Sequence, residues 1–155
     1  MANTNMSRVI VKPGNVYSIP LEDGRYGYAQ ALESPEFAFF DVASETEMSA
    51  EDVVLHPLIF RIWVHKSATK TWKKLGKVPL SEPLSKQVPR FKQDAINGKL
   101  SIYINQQESP ASLADIQGLE CAAVWESPHI LSRISDHFAG RENKWVASLR
   151  PRSQA

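Results

Sequence analysis

The chain has 155 residues, is 43% hydrophobic and 23% charged, and carries a formal net charge of +1. That is the size and composition of one globular domain with its own core, and the charge balance excludes a global field that would pull it to nucleic acid or a membrane surface. Cys121 is the single cysteine, so no internal disulfide forms, no apolar run in the opening MANTNMSRVIVKPG could serve as a signal peptide, and the stretches 53–55 and 58–60 are far too short to cross a bilayer. The expected compartment is the cytoplasm, with no membrane partner.

Residues 1–7 are expected to be a disordered N-terminus, 8–150 a single domain and 151–155 a disordered tail. Residues 8–12 and 15–20 read as strands around a Pro13-Gly14 turn. Glu22-Asp23-Gly24 is a hairpin turn, because Asp-Gly tolerates the positive φ that such turns need. Residues 25–32 then return as the partner strand, with Gly27, Ala29 and Ala31 on the face opposite Tyr26, Tyr28 and Gln30. Small residues along one face suit close packing or a tightly curved sheet. Ser34-Pro35 breaks the chain before a strand at 36–42. Residues 44–54 have helix character, with Ser44 or Thr46 as a cap and Ser49 ahead of Glu51 and Asp52. Pro57 ends that segment. LIFRIWVH, 58–65, is the best central strand, with Leu58, Phe60, Ile62 and Val64 on one face. Residues 70–78 are expected to pair back onto it as a hairpin.

Residues 79–89 hold three of the ten prolines and predict an irregular connection pinned by Phe91. Residues 99–105 alternate as a half-buried strand, 112–116 suggest one helical turn, and LECAAVW at 119–125 reads as a last strand. Ser127 is placed as an N-cap with Pro128 at the first helical position. Ile130, Leu131, Ile134 and Phe138 follow at helical spacing and Gly140 closes the helix. Trp145 and Leu149 are expected to dock a second short helix. The sum is an α+β fold: a curved antiparallel β-sheet or small SH3-like barrel core with one or two C-terminal helices.

Charge is unevenly distributed. Between Tyr26 and Phe60 there is no lysine or arginine, while Glu33, Glu36, Asp41, Glu45, Glu47, Glu51 and Asp52 all fall there. From Arg61 to Lys99 ten basic residues face two acids, Glu82 and Asp94. Such blocks either steer a partner of opposite charge or meet one another across the fold. The segment 65–77 carries five lysines with Trp72 among them and Trp63 nearby. Backbone contact and stacking on single-stranded nucleic acid is one use of that pattern. An edge strand protected by lysines is the other, and the favoured one.

Catalytic and metal chemistry find little support. His56, His65, His129 and His137 show no zinc-ligand spacing, and no GxSxG, P-loop or GxGxxG motif occurs. Cys121 sits in an apolar strand, where a thiol is an inert packing group. No cofactor or metal is expected, and no enzyme activity. A hydrolase with His65 or His137 in a cleft is the weakest of the readings.

GNVYSIPLEDGRYGYAQAL, LIFRIWVHKSATKTWKKLGKVPL and LECAAVWESPHILSRISDHFAGRENKW together resemble the immunity-protein-26 family of bacterial polymorphic toxin systems, over roughly Val9 to Arg150. The most specific words are DGRYGYAQ and the closing block with Val124, Trp125, Asp136, His137, Phe138, Gly140, Asn143 and Trp145. The resemblance implies a cytoplasmic protein encoded beside a toxin, which binds that toxin, a nuclease being one candidate class, and occludes its active site without turnover. It transfers no agreed contact residues. Gly24, Gly27, Trp125, Phe138, Asn143 and Trp145 read as structural anchors, with Asn143 capping the last helix. The expected toxin contacts are Glu45, Glu47, Glu51 and Asp52, chosen on charge because a nuclease holds phosphates with cations. The competing function is a nucleic-acid-binding SH3-like β-barrel using the lysines of 65–77. Nucleic acid is not the expected partner, and oligomeric state is left open.

Overall fold

A computed structural model describes residues 10–152 of the chain. The expected disordered N-terminus, 1–7, and the first two residues of the strand placed at 8–12 lie outside it, as do 153–155 of the expected tail. Residues 10–12 form no strand.

Among the described residues, ten strands and three short α-helices make an α+β architecture of two sheets. In chain order they are β1 (Asn15–Pro20), β2 (Tyr26–Ala31), β3 (Glu36–Phe40), α1 (Ala50–Val53), β4 (Leu58–Val64), β5 (Lys73–Lys77), β6 (Arg90–Gln93), β7 (Leu100–Ile104), β8 (Gln107–Pro110), β9 (Glu120–Cys121), β10 (Val124–Trp125), α2 (Ser127–Ala139) and α3 (Lys144–Ser148). The larger sheet runs β10-β4-β3-β2-β1-β5 and the smaller β8-β7-β6-β9. Neither closes into a barrel, and neither is purely antiparallel: β10 runs parallel to β4, and β9 parallel to β6. The SH3-like barrel alternative is therefore set aside in favour of two open, mixed sheets.

The meander β1–β4 is built by local signals. Gly24, at φ +89°, makes the β1–β2 turn, with Leu21 N–H donating to the Arg25 carbonyl at 2.8 Å. Both faces of β1, β2 and β3 are covered, which is why their burial is continuous rather than alternating. One face carries the main core, where Phe37 and Phe39 meet Trp72 edge to face and Tyr17 tilts against Phe37 and Trp72, around Ile19 and Ile62. The other packs Val16, Tyr28 and Phe40 against Ala50 and Val53 of α1. A separate core of Phe91, Leu100 and Ile116 supports the smaller sheet.

Several expectations are corrected. The lysine segment does not pair back onto β4. A 3-10 turn at Ala68–Thr71 and the buried Trp72 carry the chain across the core, and β5 pairs with β1, Asn15 opposite Lys77. Residues 44–54 give a single turn of helix, α1, because Ser44 is bonded into a bridge with Tyr26 and only Ser49 is free to cap. The stretch 119–125 is not one strand: Ala122-Ala123 crosses between sheets, leaving β9 in the smaller and β10 in the larger. Residues 112–116 form hydrogen-bonded turns rather than a helix. The cap of α2 is Glu126, not Ser127, and its side chain makes no capping bond. The strands β6 and β8 lie where no strand was expected.

At the C-terminal end, Ile130 and Ile134 of α2 are buried, with Leu131 and Phe138 packed beside them, and Gly140 closes the helix at φ +70°. Asn143 caps α3 by accepting from Trp145 and Val146 N–H, both at 3.0 Å. Its Nδ2 donates back to Ser132 Oγ and Asp136 Oδ2, each at 3.0 Å, tying α3 to α2.

Candidate functional site

The acidic segment between β3 and β4 is held from below by one phenol. Tyr28 OH and Ser44 Oγ share a 2.6 Å hydrogen bond, and both hydroxyls reach the Thr46 carbonyl, at 3.3 and 2.7 Å. The same phenol oxygen accepts from Met48 N–H at 3.0 Å. Glu47 Oε2 accepts from Ser18 Oγ at 2.6 Å and Oε1 accepts from Lys73 Nζ at 2.9 Å. The Ser18 hydroxyl first, then Lys73, holds the Glu47 carboxyl below the usual carboxylate value, and Glu47 in turn raises Lys73. Ser49 Oγ accepts from Asp52 N–H at 3.2 Å, and His56 Nδ1 donates to the Asp52 carbonyl at 3.1 Å, stapling the turn after α1. A main-chain bond of 2.7 Å from Asp41 to Pro57 closes the base of the excursion.

What this platform presents is specific. Glu45, Glu51 and Asp52 point to solvent and enter no ion pair among the described residues. Beside them Leu55 is 79% exposed and Leu58 37% exposed. Of the four acids singled out on charge, three form the outer face, and Glu47 serves the internal bond to Ser18 and Lys73. The exposed leucines escaped sequence reasoning because an apolar run such as Val53-Val54-Leu55 reads as core, whereas α1 ends at Val53 and Leu55 falls beyond it.

Of the remaining acids of the block, Glu33 is exposed and accepts from Gln87 Nε2 at 3.1 Å, while Glu36 and Asp41 are paired with cationic or imidazole side chains. Glu36 is buried and takes a bidentate pair from Arg61, at 2.9 and 3.0 Å, and a further bond from Arg90. Arg61 also donates to the carbonyls of Pro83 and Lys86, and Arg90 to that of Arg61, so β3, β4, β6 and the proline-rich connection meet at one carboxylate. Burial pulls Arg90 below its usual value and Glu36 opposes that pull. Asp41 meets His137 Nε2 at 2.8 Å across the gap to α2.

The lysine strand β5 is an edge of the larger sheet. Trp72, the aromatic of the stacking pattern, is only 8% exposed and is packed by Phe37 and Phe39. It offers no face to a base. Trp63 lies under Arg90 and against the Tyr103 ring.

The histidines are dispersed. His129 stacks on Trp145 at 3.7 Å, His65 accepts from Ser67 N–H, and no group of three or more His, Cys, Asp or Glu suited to a metal occurs among the described residues. Cys121 is half-buried, and burial pushes its thiol up, away from the reactive thiolate. No helix among the described residues is long and apolar enough to cross a membrane.

No curated protein and no solved structure matches the chain. One family model does, described as immunity protein 26, over residues 12–101. The matched span runs from β1 into β7 and contains the acidic platform, the Glu36 cluster and the lysine edge, while the closing block with Trp125 and Trp145 lies beyond it. With more than half of its length matched, the chain belongs to the immunity protein 26 family.

Proposed function

We propose that this immunity protein neutralises a cognate toxin encoded beside it by covering the toxin's active site with the face formed by Glu45, Glu51, Asp52 and Leu55. The observation that supports this most is the division of labour within one segment. Glu47, Tyr28 and Ser49 spend their polar groups fixing the backbone, while three neighbouring carboxylates and a leucine are left to solvent. A preformed face avoids the entropy of ordering a loop on binding. An apolar centre within a charged rim is the arrangement in which a few residues carry most of the binding energy. The partner that complements it is basic, and a nuclease, which must hold phosphates with cations, fits that description. Inhibition then needs no turnover by the immunity protein: the acids occupy the positions that substrate phosphates would take.

Co-expression with the neighbouring toxic domain tests the reading. Survival and a stoichiometric complex are the expected result for the wild type, and loss of both for the Glu45→Lys/Glu51→Lys/Asp52→Lys variant. A complex that survives the triple reversal intact would place the contact elsewhere.

A further inference from the structure

At the opposite end of β3 and β4 from the acidic face, where Glu36 lies across from Trp63, the surface opens into a groove of about 400 Å3. Leu32, Pro35, Phe37 and Val64 make its apolar wall, and Lys66 and Lys70 stand at its rim. The acid in its lining, Glu36, is already consumed by Arg61 and Arg90. Neither rim lysine enters an ion pair among the described residues. His65 also lines the groove: its Nδ1 is engaged by Ser67, N–H at 3.1 Å and Oγ at 2.8 Å, so Nε2 is the ring nitrogen left for a ligand.

Much of the backbone around the groove is already bonded within the fold. Leu32 N–H goes to Glu36, Glu36 N–H to Glu33, Val64 N–H to Pro35, Ala68 N–H to His65 and Lys70 N–H to Ser67. An extended peptide lying here would meet five N–H groups already taken, and it is a free ladder of such groups that supplies the affinity of strand addition. An alkyl chain needs none. An apolar cleft of this size with a few convergent polar groups is the usual form of a small-molecule site.

We propose that this groove binds a free medium-chain carboxylate, its alkyl chain against Leu32, Phe37 and Val64 and its head group between Lys66, Lys70 and His65 Nε2. The site is separate from the toxin-facing surface and does not depend on it.

The probe is decanoate, compared with decanol and decylammonium, below their aggregation concentrations. Calorimetry is expected to show one saturable decanoate site, weaker binding of decanol, and none of decylammonium. Amide shifts should concentrate at Leu32, Phe37, Val64 and Lys70. Lys66→Gln/Lys70→Gln should weaken decanoate about fivefold to tenfold, as expected for two rim charges, and leave decanol unchanged. The triple reversal of the acidic face should not alter decanoate binding. Equal affinity for all three probes, absence of saturable decanoate binding, shifts located elsewhere, or a peptide with an apolar carboxy terminus outcompeting decanoate would each overturn the assignment. Unchanged circular dichroism of the double lysine variant separates lost contact from lost fold.

Discussion

Glu47 and Lys73 meet at 2.9 Å, and that contact joins the acid-rich half of the chain to its basic half. The carboxylate leaves from the loop before α1 and the ammonium from the edge strand β5, so the charge blocks compensate each other across the larger sheet at this point. Among the described residues, the acids of this block left without an ion pair are Glu45, Glu51 and Asp52 on the outer face of the platform, and Glu33 at the far end of β2.

The pair has a pH signature. Because the folded-state pKa of Glu47 is lowered, its stabilisation is fully present above the unfolded carboxylate value and is lost as pH falls through the folded one. Glu47→Gln is therefore expected to melt slightly below wild type at neutral pH, with the gap closing below the usual carboxylate range. Melting curves across pH check this. A gap that widens in acid would contradict it.

The Glu36 cluster makes a larger claim. Removing this carboxylate leaves Arg61 and Arg90 facing each other in a site where Arg90 is 2% exposed. Breaking a buried ion pair by deleting one partner typically costs about 3–5 kcal/mol. Glu36→Gln is expected to fall in that range by urea denaturation, and to loosen β6 and the 83–86 connection first in amide exchange. A cost near that of a surface substitution would show that water reaches the cluster.

Asn143 unites a cap with a cross-link. Loss of an N-cap alone costs about 1 kcal/mol, and Asn143→Ala also removes the bonds to Ser132 and Asp136. The expected cost is about 2 kcal/mol in equilibrium unfolding. Asn143→Asp keeps the capping acceptor but loses the Nδ2 donor and sets its charge against Asp136, and should recover none of it.

The sheet meander and the helical end were legible because their signals are local. Asp23-Gly24 sets a hairpin, alternation marks β4 and β7, and a spaced apolar stripe with Gly140 marks α2. The pairing of β5 with β1 was not, because hairpin logic assigns a strand to its sequence neighbour, and only the burial of Trp72 shows that the chain crosses the core instead. Arg90 hid β6 for a related reason: an arginine between Pro89 and Lys92 reads as surface, yet its charge is met by a carboxylate 54 residues away. The His137–Asp41 contact spans 96 residues and joins two elements with no shared pattern. Of the candidate site, charge located the segment. It did not separate Glu47, which fixes the loop, from Glu45, Glu51 and Asp52, which face outward.

The central claim is most directly tested by measuring the affinity of the purified toxin domain for wild type and for the Glu45→Lys/Glu51→Lys/Asp52→Lys variant over a range of salt concentrations. The account predicts tight wild-type binding that weakens as salt rises, and a variant whose affinity is much lower and nearly salt-independent. Equal affinity for the two proteins, flat across salt, would contradict it.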